Sequence, residues 1–406
     1  MTAEDDFQSE FVRPEVELEA PSPLDFEPWH KPRKQYVRKH QWQHYAKERI
    51  QELKKAKHFE GEVPLKYFTL PGPDLLDVRL MIKLCRRFNV RLHYTGFCYD
   101  QSKQQDRLRQ NISQFRNDHG NVVVSESNVR NLSFQNLGKP KSPENTALIR
   151  GGPYQLVNID ACKSIASGDV KSAARLIDGL KAIFEYQINK CSEPWILLIT
   201  SHIQQGNVEE KSLDSLFTSV KTNHDACDSF KKALESKFEG AGNLDDFYCR
   251  VRAEHSAEFL NFATLGISKW LVHLGESAKA RVKTLDGFCY STFGHKPLVA
   301  NMVSICYLIE KLPASVVDRS GLTEEKTQNP PPKFPYENDH MEALEKSYSM
   351  TNLDDYLKSN KCTYEELVEE NIKLLTEAGY SVGSQGGEYR NWLSKHDMVY
   401  NCVMNQ

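Results

Sequence analysis

The sequence predicts an α/β fold, a doubly wound and mainly parallel seven-stranded sheet, on three observations. From residue 65 onward, short apolar runs suited to buried strands alternate with segments of helical periodicity. The run PWILLITSHI (194–203) is continuously apolar, as a strand covered on both faces must be. The last two runs, ARVKTLDGFCYS (280–291) and LVANMVSICYLIEK (298–311), are joined closely enough to pair antiparallel.

KYFTL (66–70) is the first strand of this reading, and after Pro71-Gly72-Pro73 a helix runs from Asp74 to about Phe88, with Leu76, Leu80, Ile82, Leu84 and Cys85 as its apolar side. VRLHYTGFCYD (90–100) is the second strand, followed by a polar helix over about 102–117, and NVVVSES (121–127) is the third. Beyond the loop KPKSPEN, YQLVNID (154–160) is the fourth. Val170, Ala173, Ala174, Ile177, Leu180 and Phe184 then form one helical stripe leading to the fifth strand in 194–203. Residues 208–275 are charged and helical, an insertion into a domain spanning 65–317. A proline-rich linker (318–337) precedes a C-terminal helical segment (338–406).

The N-terminal region divides by charge. Residues 1–30 hold nine acidic side chains and one arginine, with prolines at 14, 21, 23 and 28, and read as an irregular arm. From Lys31 to His58 there are ten Lys/Arg and two Glu, and Trp42, Ala46, Ile50 and Leu53 recur at helical spacing, which predicts a basic amphipathic helix within 31–64. Arg33, Lys34, Arg38 and Lys39 make it a candidate nucleic-acid surface, because clustered cations release counterions from a polyanion. The other reading of the same charges is a solvated helix face.

The chain of 406 residues, 39% hydrophobic and 10% aromatic, is long enough to bury a large core. Its 52 basic and 55 acidic residues nearly balance, so affinity for an anionic partner must come from local clusters. No apolar run approaches the roughly 20 residues that span a bilayer, and the first ten residues are acidic; the expectation is a cytoplasmic protein with no membrane partner. Ten scattered cysteines form no C-x-x-C pair, so no metal site is expected and the thiols read as small hydrophobes.

In an open α/β sheet, ligands bind at the carboxyl ends of the strands. Those ends carry Leu70-Pro71-Gly72-Pro73-Asp74, then Asp100, then Ser125 and Glu126, then Asn158-Ile159-Asp160, then Thr200-Ser201-His202. No G-x-G-x-x-G, Walker loop or G-x-S-x-G elbow is present, which argues against dinucleotide dehydrogenase, nucleotide triphosphatase and hydrolase chemistry. His202, at a strand end, and His295, in the final hairpin, are the best-placed candidate acid/base histidines.

Five parallel strands, an acid closing the second and a terminal hairpin together resemble the class I S-adenosylmethionine-dependent methyltransferase superfamily, a Rossmann-like fold, over about residues 65–311. The resemblance implies S-adenosylmethionine as cofactor. Its first loop would fall on Leu70, Gly72 and Asp74, its ribose-binding acid on Asp100 and its adenine contacts on Ser125 and Glu126. A carboxylate suits a ribose diol because it accepts two hydrogen bonds. Where amino-directed nucleic-acid methyltransferases carry Asp or Asn, two prolines and an aromatic, this chain has Asn158-Ile159-Asp160-Ala161-Cys162. Asp160 and Asn158 are therefore candidate catalytic residues, with Asp160 orienting the acceptor; as simple helix caps, Asp160 and Asp100 would serve folding alone. The first loop departs from the family by holding one glycine between two prolines.

The functional expectation is an S-adenosylmethionine-binding, methyltransferase-like protein acting on or near nucleic acid. The alternative is a degenerate Rossmann-like scaffold that binds nucleic acid, or a protein partner through the helical insertion or the C-terminal segment.

Overall fold

The computed structural model describes residues 24–99, 104–161, 163–167, 175–292, 299–312 and 336–405. A 3-10 turn, Pro28–His30, opens onto α1 (Pro32–Val37), which passes through a π-helical stretch, Arg38–Trp42, into α2 (Gln43–Lys55). There follow β1 (Leu65–Thr69), α3 (Leu76–Arg87), β2 (Leu92–Phe97), α4 (Gln104–His119), β3 (Asn128–Arg130), α5 (Pro143–Gly151), β4 (Leu156–Asp160), α6 (Leu176–Lys190) and β5 (Trp195–His202). The insertion holds α7 (Glu210–Ala226), α8 (Asp228–Lys237), α9 (Leu244–Val251) and α10 (Ala257–Ser277). After β6 (Ala280–Tyr290) and β7 (Met302–Lys311) come α11 (Tyr336–Tyr348), β8 (Thr351–Asn352), α12 (Leu353–Lys358), α13 (Lys361–Glu377), α14 (Gly387–His396) and α15 (Met398–Met404).

The sheet runs β3-β2-β1-β4-β5-β7-β6-β8. β1 to β5 are mutually parallel, and β7 lies antiparallel to both β5 and β6. This is the doubly wound, mainly parallel α/β sheet the sequence predicts, with five parallel strands and an antiparallel hairpin at one side. An eighth, two-residue strand is added: β8 pairs parallel with β6 and comes from the C-terminal segment.

Strand alternation feeds two cores. Tyr67, Leu92, Leu156, Ile196 and Leu198 face a layer built from α1–α2, α3 and α4, and Trp42, Ala46, Ile50 and Leu53 are all buried there, as their spacing requires. Phe68, Val157, Leu197 and Ile199 face the opposite layer, where α5, α6 and α11 pack with the insertion helices. A third cluster joins α12–α15 to Leu76 and Leu80 of α3, so the C-terminal segment is docked on the α/β body. The local signals behind these helices are ordinary. Ser142 accepts from the amide of Asn145 at 3.1 Å to cap α5, and Ser256 accepts from Phe259 at 3.1 Å to cap α10.

The third strand lies elsewhere than expected. Val122 and Val123 are buried, and Val123 makes a single bridge to Leu92 at the amino end of β2. The chain then turns through Ser125 and Glu126 and pairs only over Asn128–Arg130. An apolar run marks burial as readily as pairing, and here it fills the layer beneath α4. The residues Val170, Ala173 and Ala174 of the expected stripe, the cysteine at 162, the proline-rich linker up to residue 335 and the hairpin residue His295 lie outside the described residues.

Candidate functional site at the carboxyl edge of the sheet

β1 ends at Thr69, and Leu70 continues the strand by donating its amide to the Asn158 carbonyl at 3.2 Å. Pro71 fixes its own φ and restricts Leu70 before it, and Gly72 faces open space, with no heavy atom within 4 Å of where a Cβ would stand. Leu75 then adopts a left-handed conformation (φ 52°, ψ 38°), held because its side chain is fully buried, and α3 starts one residue later.

Asp77, in the first turn of α3, is buried and points back at the strand. It accepts from the Tyr67 hydroxyl at 2.9 Å and from Thr69 Oγ1 at 2.5 Å, and burial pushes its carboxyl above the usual aspartate range. Asn158 of β4 donates from Nδ2 to the same Tyr67 oxygen at 3.0 Å, while its own Oδ1 is buried without a hydrogen-bond partner among the described residues. Two residues on and on the same face, Asp160 accepts from Lys34 Nζ at 2.6 Å. Among the described residues the next helix after β4 is α6, with Arg175 at its N-cap position, so Asp160 caps no described helix.

α1 and the π-helical stretch lie across this edge. π-helical backbone is rare and recurs at functional sites. Here it turns both Arg38 and Gln41 inward. Gln41 stitches the stretch to the sheet by donating to Asp286 Oδ1 at 3.0 Å and to the Ser304 carbonyl at 3.1 Å. Arg38 is 4% exposed, and its Nε and Nη1 are buried with no hydrogen-bond partner among the described residues. Burial lowers its pKa, opposed by the charges of Asp160 and Asp77, which act on the guanidinium without a direct ion pair among the described residues.

Three of the four cations named as a nucleic-acid surface are turned inward, while Lys47, Lys54, Lys55 and Lys57 farther along the stretch are exposed. Arg33, Lys34 and Arg38 are each under 5% exposed. Arg33 bridges Asp354, which it contacts closely, and Asp397 at 2.9 Å; Lys34 is committed to Asp160. Lys39, at the rim, pairs with Glu370 at 2.7 Å. The physical reason is that α1 is wedged between the sheet and the C-terminal helices, so its cations meet internal carboxylates before they meet solvent.

The expected cofactor residues are dispersed. Leu70 stands at the edge beside Asn158, and Gly72 follows two residues on in the loop to α3. Asp74 is buried and engaged on three sides, by Arg107, by His30 at 3.7 Å and by the Tyr380 hydroxyl at 2.7 Å. Burial alone would raise its pKa, but the neighbouring His30, the Arg107 charge and the hydrogen bond from Tyr380 outweigh it and hold it below the usual range. Ser125 and Glu126 precede β3 and, by the Leu92 to Val123 bridge, lie toward the amino end of the sheet, away from the site. Asp100 lies outside the described residues. His202, at the end of β5, sits between the amides of Asn207 at 3.1 Å and Asn301 at 3.0 Å. Sequence reasoning missed Tyr67, Thr69 and Asp77; the available signal was an acid in the first turn of the helix after the first strand.

A family model described as PP_RS20740-like matches residues 23–394. The chain belongs to the PP_RS20740-like family. The match takes in the basic helix, the sheet, the insertion and most of the C-terminal segment, so what the structure assembles around the carboxyl edge falls within the family's span. No curated protein matches the chain. Among solved structures, a Clostridium thermocellum protein described as a "putative rRNA-methylase" is 11% identical, with a TM-score of 0.28, over 64% of this chain and 96% of its own. At that identity and score, methylation is said of that protein alone. No helix among the described residues is long and apolar enough to cross a membrane.

Proposed function

We propose that the protein binds S-adenosylmethionine at the carboxyl edge of β1 and β4, beneath α1 and the π-helical stretch, and is methyltransferase-like in activity. The observation that carries the reading is Arg38, a buried guanidinium with two unmatched nitrogens at the sheet edge where open α/β folds take ligands. The fit to the cofactor is chemical. A guanidinium with unmatched donors suits an anionic group such as the carboxylate of the cofactor's amino-acid end, and the open space at Gly72 admits a ligand close to the backbone. When bound, the cofactor supplies a methyl group activated by its sulfonium for direct in-line displacement. Arg38 would orient it, and Asp160, beside Asn158, would orient an acceptor once Lys34 withdraws. Arg33, Lys34 and Arg38 are internal and Lys39 is at the rim, so a nucleic-acid acceptor would have to approach from Lys39 outward or by another surface.

A specific observation favours the second reading, a scaffold without transfer activity. Lys34 neutralises Asp160, and Asp74 is fully engaged by the chain's own groups. Calorimetric titration of the full chain with S-adenosylmethionine and with its homocysteine product separates the two. Saturable binding that is lost in Arg38→Met, with the fold retained, supports the cofactor site. Absence of heat at about millimolar ligand in the folded parent leaves the scaffold reading. Incubation of the parent with radiolabelled cofactor and RNA, duplex DNA or protein acceptors then tests transfer.

A further inference from the structure

On the opposite side of the sheet, two helices bring together three metal-ligating side chains that take no part in the edge site. α10 supplies His273 and Glu276, three residues apart and so on one helical face, and α11 supplies His340. Glu276 bridges the two rings. Its Oε2 lies 3.1 Å from His273 Nδ1 and its Oε1 lies 2.8 Å from His340 Nε2, and the three ligand atoms are all within 4.8 Å of one another. A tetrahedral zinc with bonds of about 2.0–2.1 Å holds its ligand atoms roughly 3.3 Å apart, so small side-chain rotations bring this set into range.

We propose that His273, Glu276 and His340 form a binding site for a divalent transition metal, zinc or a metal of similar preference, with at least one coordination position open to solvent. The donor set decides the class: two imidazoles and one carboxylate suit zinc, cobalt or nickel rather than calcium or magnesium, which take oxygen ligands. Access follows from exposure, since His273 and Glu276 side chains are 31% and 30% exposed while His340 is 5% exposed.

Both rings are held at the nitrogen that faces away from Glu276. A ring that gives one nitrogen to a metal must carry its proton on the other and pass it to an acceptor. For His273, Nε2 faces the Ser219 carbonyl of α7 at 3.4 Å. For His340, Nδ1 contacts Lys269 Nζ of α10. Lys269 is fully buried, with its Nζ 4.7 Å from the Phe230 ring. In the structure His340 faces Glu276 through Nε2 and Lys269 through Nδ1, so Lys269 fixes the orientation of the ring.

The test uses the full chain, stripped of metal with a chelator and titrated with cobalt(II) and then zinc(II). One cobalt per chain, with visible ligand-field absorption of low coordination number that zinc abolishes, is the expected result. The double variant His273→Ala/Glu276→Gln changes half-exposed side chains and should lose the absorption and at least a hundredfold in affinity. Lys269→Met should keep one site per chain and lose on the order of 10–100-fold. Should the double variant fail a circular-dichroism check of its fold, His273→Gln alone serves, with the same loss of absorption expected. A parent that shows no saturable cobalt or zinc binding overturns the proposal, as does binding by the folded variants equal to that of the parent. Cobalt bound with its absorption unchanged by these substitutions assigns the metal elsewhere and overturns it too.

Discussion

Lys34 Nζ lies 2.6 Å from Asp160 Oδ1, which closes the carboxyl edge of the sheet with a cation from the N-terminal helix. The lysine side chain is 4% exposed and the aspartate 27%, so one partner is dry and the other still reaches water. A pair of this kind should be strongly coupled but not wholly desolvated. In a double-mutant cycle of Lys34→Met and Asp160→Asn, followed by chemical denaturation, the coupling should fall at about 1–3 kcal/mol. A coupling near zero would mean that each group is solvated independently and the contact contributes nothing.

Arg38 makes the opposite prediction for stability. Its charge is buried, two of its nitrogens are unmatched, and no direct ion pair offsets the loss of water among the described residues. Arg38→Met keeps most of the volume and removes the unmatched donors, so the ligand-free melting temperature should hold or rise. A fall of several degrees in thermal denaturation would instead make Arg38 a structural counter-ion for Asp160 and Asp77, and would remove the main support for the cofactor site.

Asp74 and His30 predict the acid limb of the stability curve. Asp74 is held below its ordinary pKa, so its contribution is fully present above the ordinary aspartate value and is lost as pH falls through the depressed one. His30 is also lowered, chiefly by burial, so the unfolded chain binds its proton first and stability again declines as pH drops below the ordinary histidine value. The two signs agree. Asp74→Asn should flatten the limb below the aspartate range while leaving the decline near the histidine range. Urea denaturation at stepped pH measures both, and an unchanged low-pH slope in the variant would show that other carboxylates set it.

What was legible in the sequence follows from the range of the interactions involved. β1, β2, β4, β5 and the final hairpin are marked by their own side chains, because burial on both faces demands apolar runs. The Trp42 to Leu53 stripe likewise needs only local periodicity. The third strand was misplaced because Val122 and Val123 are buried without pairing in a continuous strand, whereas the three residues that do pair, Asn128–Arg130, are two-thirds polar. The site was illegible for a different reason. A count of charges between Lys31 and His58 cannot tell a solvated lysine from one that meets Asp160, nor an exposed arginine from one that meets Asp354 and Asp397, because those partners lie far along the chain. Asp77 and Tyr67 show the same limit at shorter range: each is an unremarked polar residue in an apolar element until the strand and helix are placed side by side.

The last prediction concerns Arg33, which holds the two ends of the chain together. Its guanidinium is 1% exposed and spans Asp354, the second residue of α12, and Asp397, whose other oxygen accepts from the Tyr364 hydroxyl at 2.9 Å. Asp354 also accepts from the Ser291 amide at 2.7 Å, and Asp397 accepts from the Val399 amide at 3.0 Å, so both carboxylates are built into the backbone on the far side. Arg33→Ala would leave two buried anions facing each other across a void, a loss of roughly 3–5 kcal/mol. Arg33→Lys keeps the charge but presents a single point donor where a fork spans two acceptors, so it should recover only part of that loss. The readout is specific to place: limited proteolysis should release fragments from the region of α12–α15 earlier in Arg33→Ala than in the parent, because these helices dock on α1 and α3 through this contact and the third core cluster. Proteolysis that begins in the insertion helices instead, with α12–α15 as protected as in the parent, would show that the apolar cluster alone anchors the C-terminal segment and that the Arg33 bridge is a local accommodation of buried charge.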